Sequence, residues 1–333
     1  MTSLPTALAP PTASSSPTPS WEFAPSCPAT ASATTDIVHG IQPDGARLTL
    51  DVCSPARAYS TASPAPTASA GTADAGDAGP TDTVLPGTAT ADREAVASAV
   101  EQTLLPAVIS VHGGSWARGD KGNSDWRMVC QSLASEGFVA FSVNYRLVPD
   151  AVFPAAIDDL QLAVEWMRDP GNAERYGIDP NHIGAFGGSA GGNLVALLGT
   201  SGRSALTTDA RVAAVAELSG PVDLRATGLV NAVDGLTRIT QAYLGCEDIN
   251  RCAPSVDASA SSRLDRCDRP FFIGTSSNEF ISANQSIEFA AQLDRLGIRS
   301  ELVVVPGELH SIGILDEEMR ARVAGFLHAE LGL

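Results

Sequence analysis

From residue 106 to residue 305 the chain alternates short apolar runs of strand length with amphipathic segments of helical spacing, and that order leaves few ways to fold. Residues 107–111 read as a buried strand, 124–136 as a helix and 138–143 as the next strand. Ile157, Leu160, Val164 and Met167 recur at helical spacing behind Pro154, a residue suited to a first helical turn. Next come a strand at 182–186, a helix from Ser189, strands at 212–218 and 271–274, a helix through Ile287, Leu293 and Leu296 stopped by Gly297, a strand at 301–305 and a closing helix. A strand that leads into a helix crosses over before it pairs again. The order therefore predicts an α/β fold, a mostly parallel sheet covered by helices on both faces.

Two stretches break the pattern. Residues 1 to about 35 are Ser, Thr, Pro and Ala with scattered large apolar side chains, and about 54–103 is rich in Ala, Thr, Pro, Gly and Asp. Neither buries enough apolar surface to offset its ordering entropy, so a disordered tail and a disordered insertion are expected. The segment between them is too short for a core of its own, and its strand at 46–53 must pair with strands beyond the insertion. Residues 36–333 are thus read as one domain, with possible cap elements at about 221–263 between two core strands.

The 38 Asp and Glu against 21 Lys and Arg give a formal charge of −17, which repels phosphate backbones and anionic lipid and excludes nucleic acid as a partner. No apolar run approaches the roughly 18 to 20 residues of a membrane-spanning helix. The six cysteines, Cys27, Cys53, Cys130, Cys246, Cys252 and Cys267, lack the paired spacing and nearby histidines of a zinc site, so disulfides are the better reading. Cys246 and Cys252 are close enough to close a small loop. Disulfides require an oxidising compartment, yet the first residues lack the charged start and apolar core of a secretory signal. A signal removed ahead of this numbering reconciles the two, and a secreted or extracytoplasmic protein is expected.

Chemistry concentrates in Gly187-Gly188-Ser189-Ala190-Gly191-Gly192, a G-x-S-x-G motif placed where a strand gives way to a helix. Small residues let the chain turn tightly while the Ser189 hydroxyl projects from the sheet edge, with the Ala190 N–H and the positive helix end facing the same spot. His112-Gly113-Gly114-Ser115-Trp116 ends an earlier strand, and its successive small residues let backbone N–H groups point at one oxygen. Gly113, Gly114 or Ser115 would complete an oxyanion hole with Ala190, while His112 reads as structural and Trp116 as core. A nucleophilic serine needs a base. Of His39, His112, His182, His310 and His328, only His310 lies in a loop after a late strand, at the edge where Ser189 sits.

These residues resemble the α/β-hydrolase superfamily, and within it secreted esterases and lipases with an HGGxW oxyanion motif, close to the hormone-sensitive-lipase-like and acetylxylan/feruloyl esterase groups. The likeness covers 36–53 and 104–331. It also rests on Gly119-Asp120-Lys121, Asn144-Tyr145-Arg146-Leu147 and Phe153-Pro154-Ala155-Ala156-Ile157-Asp158-Asp159, whose polar members read as scaffold ion pairs and hydrogen bonds. The resemblance implies an α/β-hydrolase fold, a Cys53–Cys130 bridge and a catalytic acid after the strand at 271–274. There the chain departs from the pattern: in Ser277-Asn278-Glu279-Phe280 the usual aspartate position is Asn278. An amide orients an imidazole but brings no charge to the imidazolium. Glu279, Asn278 as a weak orienter, or a carboxylate from elsewhere such as Asp223 remain the alternatives, and Asn278→Asp is expected to raise esterase activity.

The resemblance implies hydrolysis of small-molecule or polysaccharide-linked carboxylic esters through an acyl-enzyme, with no metal or organic cofactor, by a monomer. An amide or peptide hydrolase on the same scaffold, and a noncatalytic binding protein that has lost its acid, are the alternatives.

Overall fold

Alternate residues of the central strands face opposite helical layers. Ile109, Phe271 and Ile273 join one buried cluster, whereas Val108 and Phe272 join the other. The computed structural model describes residues 32–42, 45–56, 104–202, 210–230, 232 and 234–332. Its strands are β1 (Ser32–Ile41), β2 (Arg47–Ser54), β3 (Leu105–Val111), β4 (Val139–Val143), β5 (Ile178–Gly188), β6 (Val215–Leu218), β7 (Phe271–Ser276) and β8 (Ser300–Val305). They form one sheet in the order β1-β2-β4-β3-β5-β6-β7-β8. β1 and β2 pair antiparallel, β2 meets β4 antiparallel, and every later pairing is parallel.

The helices are α1 (Ser124–Ser135), α2 (Ala155–Arg168), α3 (Pro170–Tyr176), α4 (Ala190–Gly199), α5 (Asp234–Leu244), α6 (Pro254–Asp257), α7 (Ala283–Leu296) and α8 (Glu317–Leu331). Leu160 and Val164 of α2, Leu194 and Leu198 of α4, and Phe289 and Leu293 of α7 cover one face. Trp126 and Leu133 of α1, with Val323 and Leu327 of α8, cover the other. Near-continuous apolar strands follow from that double cover. The expected mostly parallel sheet between two helical layers is what forms.

Several boundaries differ from the sequence reading. Strand begins at Ser32, inside the tail expected to reach about residue 35, and β2 runs through Ser54, where the insertion was expected to start. Ser32, Ala33 and Thr34 pair with Ser54, Cys53 and Val52 through their backbones, an edge contact that side-chain composition does not report. The rest of the expected tail, the expected insertion and Cys27 lie outside the described residues. The sixth strand starts at Val215 and not at 212, and the fifth extends back to Ile178 across Pro180.

Cys53 bridges to Cys130, tying β2 to α1, and Cys246 bridges to Cys252. Cys267 is an exposed free thiol. The first bridge spans 77 residues of sequence, and in the chain-entropy view such a loop stabilises by about 4 kcal/mol. In the stretch read as possible cap elements, Tyr243 of α5 stacks on Trp116 with ring centroids 4.3 Å apart, so α5 rests against the loop after β3. No helix among the described residues is long and apolar enough to cross a membrane.

Candidate active site

Parallel strands with crossover helices bring the loops after β3, β5, β7 and β8 to one edge of the sheet. Ser189 lies between β5 and α4 with φ 57° and ψ −123°. A non-glycine residue at such a φ costs about 1 to 3 kcal/mol, and the surrounding contacts must hold it there. The bend is tight: a Cβ on Gly191 would stand 2.1 Å from the Val111 carbonyl oxygen, so only glycine lets α4 begin this close to β3. The hydroxyl is lifted clear of the sheet as a result.

His310, in the loop between β8 and a short 3₁₀ turn at Ser311–Ile314, places Nε2 2.8 Å from Ser189 Oγ. Its Nδ1 meets Glu279 Oε2 in a very short hydrogen bond. The Glu279 side chain is fully shielded from solvent. Its second oxygen, Oε1, accepts from Ser219 Oγ at 2.7 Å, Thr275 Oγ1 at 2.8 Å and the Ser276 N–H at 2.9 Å. Burial pushes the Glu279 carboxyl up, but the bonds from His310, Ser276, Ser219 and Thr275 outweigh it and hold the group below the usual glutamate range. An ionised carboxylate on Nδ1 fixes the tautomer in which Nδ1 carries the proton and Nε2 accepts from the serine hydroxyl.

The three candidates for the acid are thereby told apart. Glu279 reaches the imidazole. Asn278 is exposed and turns away: its Nδ2 donates to Glu308 at 3.0 Å and its N–H to the Gly307 carbonyl at 2.9 Å, so it ties the loop after β7 to the loop after β8. Asp223 is engaged by Arg225 at 2.7 Å and 2.8 Å. With Glu279 in place, the expectation that Asn278→Asp raises activity loses its structural basis.

The loop after β3 presses on the elbow. A Cβ on Gly113 would lie 2.9 Å from the Gly188 oxygen and 3.1 Å from Ser189 Cβ, so its backbone abuts the serine. Gly114 has φ 125° and Ser115 φ 58°. The N–H groups of Gly113, Gly114 and Ala190 have no hydrogen-bond partner among the described residues. Donors left free beside a serine hydroxyl are what an oxyanion requires. His112 is buried, stacks on Tyr145 at 4.4 Å and points Nδ1 at the Gly113 oxygen 2.8 Å away, and the Tyr145 hydroxyl donates to the His112 carbonyl at 2.9 Å. Its structural reading stands, and burial lowers its pKa.

Of the polar residues read as scaffold, Asp120, Lys121, Asn144, Arg146 and Asp159 take that part. Lys121 Nζ bonds Asp36 at 2.8 Å and Asp51 at 2.7 Å, joining the loop to β1 and β2. Arg146 pairs with buried Asp159 at 2.8 Å, and Asn144 donates to Asp120 at 2.8 Å. Among the described residues no group of three or more His, Cys, Asp or Glu is arranged to hold a metal ion.

Sequence reading missed Ser219, Thr275 and Ser276, which surround the Glu279 carboxylate, and Glu217, a fully buried carboxyl two residues before Ser219. The signal for Glu217 was a charged residue inside the apolar run Val215-Ala216-Glu217-Leu218. Burial pushes Glu217 up to about 8, offset in part by the Gly220 N–H and raised further by Glu279. Oε2 accepts from Gly220 at 2.6 Å. Between pH 4.5, the ordinary value, and about 8 the native chain holds a proton that the unfolded chain has released. Stability then falls as pH rises through that window, by roughly 1 kcal/mol per pH unit. Glu217→Gln removes this slope, so the stability of the variant relative to the wild type is expected to rise from pH 5 to pH 8 in denaturant titrations. A difference that stays constant across that range contradicts a protonated Glu217.

A family model described as BD-FAE matches residues 96–293, more than half of the chain. Neutral cholesterol ester hydrolase 1 of Mus musculus is 40% identical over 100 residues, 30% of this chain and 24% of that protein. Esterase LipC of Mycobacterium tuberculosis is 30% identical over 226 residues, 63% of this chain and 54% of that protein. The chain thus spans between a quarter and about half of the length of these curated relatives. Among solved structures, a truncated carbohydrate esterase from gut microbiota superposes with a TM-score of 0.67 at 20% identity, covering 91% of this chain and 98% of that one. The native esterase Est2 of Thermogutta terrifontis does so at 0.62 and 20% identity, covering 92% and 94%. At that identity the likeness concerns the fold, and it is the α/β-hydrolase fold that the resemblance implied.

Proposed function

Because the chain belongs to the BD-FAE family, we propose that it hydrolyses carboxylic esters through an acyl-enzyme on Ser189. The observation that carries this reading is the unbroken line Ser189 Oγ, His310 and Glu279, with 2.8 Å between the hydroxyl and Nε2. His310 Nε2 takes the serine proton as Oγ attacks the ester carbonyl, and the imidazolium is held by Glu279. The N–H groups of Ala190 and of Gly113 or Gly114 receive the oxyanion, with Ser115 as the remaining candidate donor. His310 then returns the proton to the departing alkoxide; water, deprotonated by the same nitrogen, attacks the acyl carbon, and that proton passes to Ser189 Oγ as its bond to the acyl carbon breaks and the acid leaves.

Phe280, 41% exposed, stands edge-on to the His310 ring at 6.2 Å, and Leu309, 58% exposed, precedes that histidine. Two exposed apolar side chains beside the base supply surface for the carbon skeleton of an ester. Within about 221–263, α5 packed against Trp116 supports the reading of cap elements there, and the two disulfides favour an extracytoplasmic location.

Ester specificity is tested with p-nitrophenyl acetate beside the matched anilide. The expected result is turnover of the ester at a rate at least 100-fold above that of the anilide, since an anilide needs the leaving nitrogen protonated as well. Comparable rates favour an amidase. No turnover of either, with the protein folded, favours a binding protein.

A further inference from the structure

Ser219 is the first residue after β6, and it carries a backbone conformation that serine rarely adopts, φ 54°. Three segments meet at it. Its N–H donates to the Gly274 carbonyl of β7 at 2.7 Å, its hydroxyl donates to Glu279 Oε1 at 2.7 Å, and the same hydroxyl oxygen accepts the N–H of Ser311 at 2.9 Å. Ser311 directly follows His310 and is itself buried with φ 58°. Ser219 is fully buried, so no water substitutes for it from the bulk. Glycine would hold this turn without strain, whereas glycine carries no hydroxyl.

We infer that Ser219 is a positioning residue of the proposed reaction: its one hydroxyl clamps the carboxylate of Glu279 and the backbone just beyond His310 at a fixed separation. The inference rests on the reading of Ser189, His310 and Glu279 as a working triad. A hydroxyl that donates to Oε1 and accepts from the imidazole-bearing loop makes acid and base one rigid unit, where otherwise each loop moves separately. It also sets the basicity of the acid. A carboxylate that loses one donor binds protons more tightly and holds an imidazolium more strongly. The titratable groups around Ser219 are Glu217 from β6, Glu279 from the loop after β7 and His310 from the loop after β8.

Ser219→Ala removes both hydroxyl contacts, and Ser219→Gly removes them while also relieving the backbone, so a folding defect in the first leaves the second to be read. In each variant kcat for p-nitrophenyl acetate is expected to fall about 10- to 100-fold, the range that one charge-assisted hydrogen bond controls. KM stays within about threefold because the contacts do not touch substrate. The acidic limb of kcat/KM moves to higher pH, and the downfield Nδ1 proton signal of His310, followed by NMR without any substrate, shifts because its acceptor Glu279 has lost a donor. A glycine variant that keeps wild-type kcat, or that loses kcat with both the limb and the Nδ1 proton signal unmoved, overturns the inference. An inactive wild type sinks the reading of the triad instead, and in that case the Nδ1 proton signal alone decides the role of Ser219.

Discussion

Ser189→Ala is expected to lower kcat for a simple ester by about 10⁴- to 10⁶-fold, the loss that accompanies removal of the nucleophile from an acyl-transfer triad. Thermal stability should hold. Alanine keeps the strained φ of 57°, and the hydroxyl it removes is engaged by His310, a contact that serves chemistry more than folding. A residual rate above about 1% of wild type, in protein free of contaminating esterase, is incompatible with Ser189 as nucleophile.

The second large effect separates two neighbours in sequence. Glu279→Gln keeps the size and the hydrogen-bonding shape of the side chain but removes the charge that faces Nδ1 of His310. It is expected to cost about 10³- to 10⁴-fold in kcat, because an amide there favours the wrong tautomer and leaves the imidazolium uncompensated. Asn278→Asp, one residue earlier, is expected to leave kcat within about twofold. Its side chain faces Glu308 at 3.0 Å, and a carboxylate there meets another carboxylate on an exposed loop, where such repulsion is largely screened by water. Steady-state kinetics on the two variants decide between the positions. A large gain in Asn278→Asp, or near-normal turnover in Glu279→Gln, would return the role to the residue at which a family pattern expects it.

That contrast also marks how far the chain could be read from residue types alone. The sheet was legible because its central strands are buried on both faces and helices such as α2 and α8 on one, so burial writes itself into residue type at Ile109, Phe271, Leu160 and Leu327. Ser189 and His310 were legible for a different reason: each comes after a strand on the edge where a parallel sheet collects its loops. The side chain that meets His310 was narrowed only to Glu279, Asn278 or a carboxylate from elsewhere, because a one-residue shift along a loop changes which side chain faces inward without changing composition. Glu279 is longer than aspartate by a methylene and comes one residue later, and the structure brings it in by giving it three donors at Oε1. Ser219 left no local trace at all, since its importance comes from Glu279 and Ser311, 60 and 92 positions away. At the amino end, the strand from Ser32 escaped notice because exposed Ser, Ala and Thr pair there by backbone alone.

The identity of the nucleophile is tested most directly by intact-mass measurement and peptide mapping of the folded protein after reaction with a fluorophosphonate. A single adduct is expected, on Ser189, formed rapidly in the wild type and at least 100-fold more slowly when His310 is replaced by alanine. A folded protein that takes no label, or that carries it on another residue, contradicts the assignment of Ser189, and with it the acyl-enzyme.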